Sequence, residues 1–517
     1  MPTGGTRAEE RTRLAELLAG LSLVTDLARG HSPEEAVRAC AVAAGLARSM
    51  GLSDDEVRDA YYTTLLRFVG CTATSHEYAQ GLGGDDVAVR RVADMLDTTD
   101  PREAATFLLA LGRSAPTPLA RTRTVAAAVP RAKRIATHGA KADCEVAALM
   151  ARRLDLDPAV GSALAHIFER WDGKGSPRGV KGERVALPAR FAAVAFAGVM
   201  FADAGGPDAA VDVVRRWSGR SLDPRIADAF AREGADLLAA VDDDPWTAVL
   251  ELEPEPRRFV SERGIDDAAA AFADAADLKS TFLLGHSGHV ARLAEGAGEA
   301  MGLSPAQRTA LRRAGLLHDL GRAGVPTGVW DRPGPLTVAD WEQVRLHAYH
   351  TERILSRTPA LQQLARLAGM HHERIDASGY HRQATPGEQS ASARVLAAAD
   401  VCAALTEDRP HRPAFGLDRA ARLLQQEPLD PQASAAVLEA AGHATRVRAA
   451  WPAGLTDREV EVLRVLARGA SKREVARALF ISPSTAHTHV VHIYEKLGVS
   501  TRAAAALFAM EHGLLHD

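Results

Sequence analysis

The chain has 517 residues, with 66 acidic and 62 basic side chains, a formal net charge of −4 and 46% apolar residues. At roughly 100–200 residues per domain this length makes two to four domains, each able to bury its own core. The near-neutral balance excludes a uniformly basic nucleic-acid binder and a highly charged disordered chain. Histidine is spread unevenly: of 19, four precede residue 270, nine lie between His286 and His411, and six lie from His443 onward.

The opening MPTGGTRAEERTRL lacks the apolar run of a signal peptide, and the four cysteines stand singly with no CxxC pair. A cytoplasmic protein without disulfides or a zinc ribbon is expected. Apolar residues recur mostly at three- and four-residue spacing and strand-like alternation is scarce, which predicts an all-α fold. Ser32-Pro33 before EEAVRACAVAAGLA and Ser304-Pro305 before AQRTALRRAGLLHD read as serine N-caps with proline in the first turn. The apolar stretch Val185–Ala202 has the length of a membrane span, but Pro188 and Arg190 interrupt it. A buried core helix is the preferred reading, with no membrane partner. Residues 242–257, acidic and proline-containing, mark a domain edge, and residues 443–454 a second boundary.

An internal repeat organises the chain. MGLS at Met50–Ser53 recurs at Met301–Ser304, followed at the same distance by TLLRFVG and GLLHDLG. ERWDGKGSP (Glu169–Pro177) parallels ERIDASGYH (Glu373–His381), PARFAAVAF (Pro188–Phe196) parallels SARVLAAAD (Ser392–Asp400), and Leu222-Asp223-Pro224 parallels Leu429-Asp430-Pro431. Five pairs in the same order mean two copies of one helical domain ahead of a short C-terminal domain.

The second copy holds His286, His318-Asp319, His347, His371-His372 and Asp400. A lone histidine on an apolar helix is more often a hydrogen-bonded core residue than a ligand. An ordered set with two adjacent pairs reverses that judgement. Imidazoles and carboxylates without thiolates suit divalent Fe, Mn, Zn or Ni. Neighbours on a helix point about 100° apart, so His318 and Asp319 can serve two ions with the carboxylate bridging. Two neighbouring metals can clamp the attacking and leaving oxygens of an in-line displacement.

HDLGRAGVP (His318–Pro326), HHERIDASGYH (His371–His381) and AADVCAALTEDRPHR (Ala398–Arg412) resemble the HD-GYP branch of the HD-domain metal-dependent phosphohydrolases, over about residues 277–415. The resemblance implies two divalent ions, one on His286, His318, Asp319 and Asp400, the other on Asp319, His347, His371 and His372. It also implies hydrolysis of phosphate esters in nucleotide signals, cyclic di-GMP among them, with Asp319 and a cation beside the site as catalytic groups. The family's lysine is here Arg322, which keeps the charge but not the shape. The signature DGxGYP reads Asp376-Ala377-Ser378-Gly379-Tyr380-His381, and Phe282 stands where some members place a glutamate for a third metal. His289, His350 and His411 are not at ligand positions: His350 is a candidate pocket residue, and His289 and His411 are expected at the surface or in loops.

In register with the second copy, the first replaces His318-Asp319 by Arg67-Phe68, His371-His372 by Ile167-Phe168 and Asp400 by Phe196, with Glu35 opposite His286. Mainly apolar replacements are what a vacated site filled by packing requires. This half is expected to be non-catalytic, and to pack against the second half or receive a partner or small molecule.

The last segment predicts four short helices, Thr456–Ala467, Lys472–Leu479, Pro483–Leu497 and Thr501–His512, the middle two joined by a tight turn. LTDREVEVL, SKREVARAL and STAHTHVVHIYEKLGVSTRAAA resemble the LuxR-type DNA-binding domain. The resemblance implies a helix from Pro483 in the major groove of double-stranded DNA, with His487, Thr488 and Val491 facing bases and Lys472, Ser484, Thr485 and Lys496 nearer phosphate. Eight Lys/Arg against seven Asp/Glu in 454–517 make a weakly cationic domain, so a homodimer on a two-fold site is expected.

The expected organisation is two tandem HD-type helical domains followed by a four-helix LuxR-type helix-turn-helix domain. The boundaries are 1–240 for the copy without ligands, 241–270 as linker, 271–442 for the metal-binding copy, 443–453 as linker and 454–517 for the DNA-binding domain. The preferred function is a transcription regulator whose metal domain binds a phosphorylated nucleotide signal, with hydrolysis left open. Two alternatives stand beside it: a phosphohydrolase whose terminal domain serves localisation or protein interaction, and a non-catalytic metal or ligand sensor.

Overall fold

The computed structural model describes residues 12–82, 84–113, 118–442 and 451–515. Among these residues the regular elements are all helical, and extended pairing is limited to isolated bridges such as Arg13 with Phe259. The 3.6-residue periodicity therefore carries through to the fold.

The repeat is visible helix by helix. Glu35–Ser49 matches His286–Ala300, Asp54–Leu65 matches Pro305–Leu317, Leu187–Trp217 matches Ala391–Thr406, and Pro224–Asp242 matches Pro431–Gly442. Local chemistry repeats with it. Ser53 and Ser304 each cap their helix by accepting from the backbone N–H three residues on, and Glu56 and Gln307 close the reciprocal bond.

The expected cap at Ser32 is not formed. The helix begins at Glu35 instead, because the Asp26 carboxylate reaches in from the preceding helix and accepts from the Ala36 N–H at 3.2 Å. Asp277 does the same for Ser287, at 2.9 Å. In both copies the residue before the helix is left-handed, Glu34 at φ 73° and Gly285 at φ 76°. Glu35 is thus the structural counterpart of His286.

The first copy carries an insertion that the second lacks, the helices Ser75–Leu82, Asp86–Asp94 and Pro101–Arg113 with the start of Pro118–Arg153, whose C-terminal part around Asp143 matches Val338–Ser356. It reaches across to the second copy. Lys279 and Asp86 form a fully buried ion pair at 3.0 Å, and Thr327 N–H donates to the other Asp86 oxygen at 2.7 Å. Helix Leu14–Arg29 packs on the second copy's turn Leu320–Gly324, and helix Glu262–Asp277 packs on the first copy's turn Cys71–Thr74. The halves interlock around one shared apolar core.

Residues 241–270, expected as a linker, are built into this body. They include helix Pro245–Glu251, which packs on Glu35–Ser49, and the start of Glu262–Asp277. Backbone bonds from Leu14 to Arg258 and from Val260 to Thr12 tie the segment down. Its acidic and proline residues serve helix starts: Asp244 caps a helix whose first residue is Pro245. Residues 443–450 of the second expected linker lie outside the described residues. Helix Leu187–Trp217 is long and apolar enough to cross a membrane by composition. Its Phe191, Val194, Ala195 and Val199 are buried inside the first copy.

The C-terminal helices run Asp457–Ala467, Lys472–Ala478, Pro483–Leu497 and Arg502–Glu511. Thr456, Ser471, Ser482 and Thr501 each cap one of them. The last helix lies on Pro118–Arg153 and Glu262–Asp277. Ser500 N–H donates to Glu145 at 2.7 Å, and Arg502 pairs with Glu77.

Candidate metal centre and nucleic-acid interface

The ligand candidates sit at helix ends that face one another. His286 opens its helix, His318 ends the helix Pro305–Leu317, His347 lies within Val338–Ser356, His371 and His372 follow Pro359–Gly369, and Asp400 lies within Ala391–Thr406. The fold gathers all seven predicted ligands at one place. His286, His318 and Asp400 form one convergent group, His347, His371 and His372 a second, and His318, Asp319 and His371 a third between them. Asp319 is central: one carboxylate oxygen lies 2.8 Å from His318 Nε2 and 3.5 Å from His286 Nε2, the other 3.2 Å from His347 Nε2.

Three imidazoles are oriented by one device. His318, His347 and His371 each donate Nδ1–H to the carbonyl three residues earlier, of Gly315, Val344 and Ala368. That fixes the tautomer and leaves each Nε2 lone pair aimed inward. Two such acceptors, on His347 and His371, stand 2.9 Å apart. Buried acceptors at that separation need a cation between them or a shared proton. His318 Nε2 and both Asp319 oxygens are buried without a hydrogen bond. The residues fit divalent metal.

The electrostatics divide the imidazoles: burial opposes a proton on His318, but Asp319 and Asp400 push it up to about 10, whereas His371 and His372 are pushed down. Burial opposes charge on Asp319, but the Arg322 guanidinium, with Nη1 at 2.6 Å, and His318 hold its carboxyl well below the usual carboxylate range. Burial pushes His371 down to about 4, and His372 well below its ordinary value. Both are neutral, metal-ready imidazoles at pH 7.

Glu407 was not among the expected site residues. It accepts from His286 Nδ1 at 2.8 Å and, through its other oxygen, contacts His289 Nδ1 at 2.8 Å. His289, expected at the surface or in a loop, is therefore half-buried beside the centre. A carboxylate behind a ligating imidazole fixes the ring and raises its basicity. Helical spacing did not announce it, since Glu407 lies just past the end of the helix Ala391–Thr406 that carries Asp400, in extended backbone. His350 lies against Tyr349, 5.7 Å between ring centres, and His411 is exposed.

The altered signature loop keeps its architecture. The Glu373 carboxylate accepts from the backbone N–H of Arg382 and Ala384, as Glu169 does from Arg178 and Val180 in the first copy. A side chain at Gly379 or Gly175 would run into that glutamate. Ala377 adopts φ 60°, where the first copy has Gly173 at φ 78°. Tyr380 packs on His372 with ring centres 4.2 Å apart and walls the centre.

In the C-terminal domain Lys472, Ser484, Thr485, His487, Thr488 and Val491 are exposed on the two middle helices. Lys472 Nζ lies 2.6 Å from His487 Nδ1. Lys496 is committed inside the domain, donating to buried Glu459 at 2.6 Å and to the Gly454 carbonyl at 2.9 Å. It braces the first helix to the third.

Residues 270–432 match the HD domain family, and residues 453–509 match the luxR family of bacterial regulatory proteins. The chain joins an HD domain to a luxR-family DNA-binding domain. It is 29% identical over 440 residues to the 3'3'-cGAMP-specific phosphodiesterase 3 of Vibrio cholerae, covering 84% of this chain and 95% of that protein. A crystal structure of a cyclic GMP-AMP-specific phosphodiesterase from V. cholerae superposes with a TM-score of 0.59 at 26% identity, covering 84% of this chain and 99% of that one. The luxR-family domain is 50% identical over 60 residues to the transcriptional regulatory protein YhcZ of Bacillus subtilis, spanning 12% of this chain and 28% of that protein. The likeness to the phosphodiesterase covers more of the chain than the HD match itself.

Proposed function

We propose that the second copy is a metal-dependent phosphodiesterase for a cyclic dinucleotide, and that the luxR-family domain converts its state into binding of double-stranded DNA. The observation that carries this reading is the convergence of five imidazoles and two carboxylates on buried, unsatisfied acceptor atoms, with a guanidinium beside them. His286, His318, Asp319 and Asp400 would hold one divalent ion, and Asp319, His347, His371 and His372 a second. When bound, such ions supply Lewis acidity toward a phosphodiester and its attacking water.

The chain's own residues do the rest. Arg322, stacked 5.1 Å from the Trp330 ring centre, is fixed where it can pair with a phosphoryl oxygen as charge develops. Tyr380 offers an aromatic wall, and Glu407 keeps His286 in its ligating tautomer. Exposed Ser484, Thr485, His487, Thr488 and Val491 would meet the major groove, with Lys472 nearer phosphate. A cytoplasmic homodimer on a two-fold site completes the reading.

The test is incubation of purified full-length protein with 3'3'-cGAMP and with cyclic di-GMP, alongside metal analysis. Ring opening of either dinucleotide, abolished by Asp319→Ala, supports the reading. Bound metal without Asp319-dependent turnover would replace it with the sensor reading.

A further inference from the structure

The first copy has lost every histidine ligand and both aspartates, keeping carboxylates only at Glu35 and Asp143, yet its counterpart site is hollow. A cavity of about 220 Å³ opens at the vacated position, lined by Arg29, Arg67, Phe68, Phe168, Phe196 and Trp217 among others. Phe68 and Phe196, which replace Asp319 and Asp400, pack edge to face at 4.9 Å, and Phe168 closes the aromatic wall at 6.3 Å from Phe68.

Two guanidinium groups converge on this cavity. Arg29 is 2% exposed and is held through Nε and Nη2 by Asp94, at 3.1 and 2.9 Å. Its Nη1 has no hydrogen bond, and Glu35 lies 3.5 Å away. Arg67, which replaces His318, has Nε and Nη1 buried with no partner. Among the described residues no carboxylate pairs with it. The acids nearby are otherwise engaged: Asp97 is held by Arg170 and Arg220, and Asp94 by Arg29 and His31. Burial and the neighbouring Arg29 pull Arg67 down to about 10. An arginine kept this close to aromatic rings, buried and unpaired, costs the fold free energy that an anion would return.

We propose that the first copy binds a phosphorylated nucleotide without cleaving it, its phosphate on Arg67 and Arg29 and its base or sugar against the aromatic wall. The two guanidinium groups take over the cationic role that metal ligands organise in the second copy. Guanidinium pairs with phosphate bidentately but supplies no open coordination position, so binding persists where hydrolysis cannot. The proposal rests on the first copy's own residues and is independent of turnover in the second.

The experiment uses full-length protein carrying Asp319→Ala, so that the second site is disabled, and measures binding of inorganic phosphate, GMP and cyclic di-GMP by calorimetry. A nucleotide binding at least tenfold more tightly than inorganic phosphate, with that affinity lost on adding Arg67→Met, is the expected result. Phe196→Asp is the companion variant. It restores the second copy's residue and gives Arg67 an internal carboxylate, so it should abolish nucleotide binding while preserving or raising Tm. Nucleotide affinity unchanged in both variants overturns the proposal, as does absence of nucleotide binding to the Asp319→Ala protein or binding of inorganic phosphate alone.

Discussion

Asp408 accepts a hydrogen bond from Arg468 at 3.0 Å, one residue beyond the Glu407 carboxylate that holds the His286 ring at 2.8 Å. Adjacent acids therefore touch the candidate metal-ligand set and the luxR-family domain. The Asp408–Arg468 pair is exposed, and such pairs contribute about 0–1 kcal/mol to stability. Asp408→Asn should leave Tm unchanged and instead reduce coupling. In gel-shift titrations of the full-length protein, the ratio of DNA affinities with and without chelator should fall toward one. A ratio equal to that of the unsubstituted protein would show that this loop carries no signal.

If His286 holds metal as proposed, Glu407 would act on that metal through the His286 ring. Carboxylates behind ligating histidines typically contribute 10–100-fold in metal affinity. Glu407→Ala should weaken metal retention by roughly that factor during dialysis against a chelator, whereas His411→Ala, at an exposed position, should not.

The Lys279–Asp86 pair has no solvent on either side. Removing one partner leaves an uncompensated buried charge, at a cost of about 3–5 kcal/mol. Lys279→Met should lower Tm sharply, and adding Asp86→Leu should recover part of the loss, the remainder reflecting the Thr327 N–H left without its acceptor. A single-variant Tm within a degree of the parent would contradict this account.

Ala377 occupies a conformation that suits glycine, as Gly173 shows at the matching place. A left-handed alanine costs about 1 kcal/mol relative to glycine. Ala377→Gly should raise stability by about 1 kcal/mol less the extra chain entropy of glycine. Thermal melts of the two proteins, run at the same metal loading, check it.

Asp143 stands against Gly70 as His347 stands against Gly321, so it is the first copy's answer to that ligand. Burial pushes its carboxyl up to about 7, despite Arg90 and the Thr74 hydroxyl. The folded state thus holds a proton between about pH 4 and 7 that the unfolded state releases. That contribution is fully present below about pH 4 and is lost as pH rises toward 7. Asp143→Asn removes it, so the Tm difference between variant and parent should move in the variant's favour from pH 5 to pH 7.5. A difference independent of pH would place the proton elsewhere.

Much of this was legible in the chain itself. The repeat register correctly paired Arg67-Phe68 with His318-Asp319, because helix phase propagates without gaps through the Ser53 and Ser304 capping boxes. Spacing also brought out five histidines and two aspartates that the fold brings together. What it did not yield depends on contacts between distant segments. Asp26 capping the helix at Glu35 displaces Ser32 from that role, and nothing local to Ser32 announces it. The acidic stretch near Asp244 looks like a linker until helix Pro245–Glu251 is seen packed on Glu35–Ser49. Lys496 reads as a phosphate contact until Glu459, 37 residues earlier, claims it.

The crossed packing of helix Leu14–Arg29 on Leu320–Gly324, and of Glu262–Asp277 on Cys71–Thr74, means that the two copies are partners fused covalently rather than beads on a string. Their pairing has no dissociation constant and cannot be diluted away. A fragment beginning at residue 271 would bare the apolar face that the first copy covers and cut into its own first helix. The first copy is thereby held to the second by a shared core, whatever chemistry its own cavity supports.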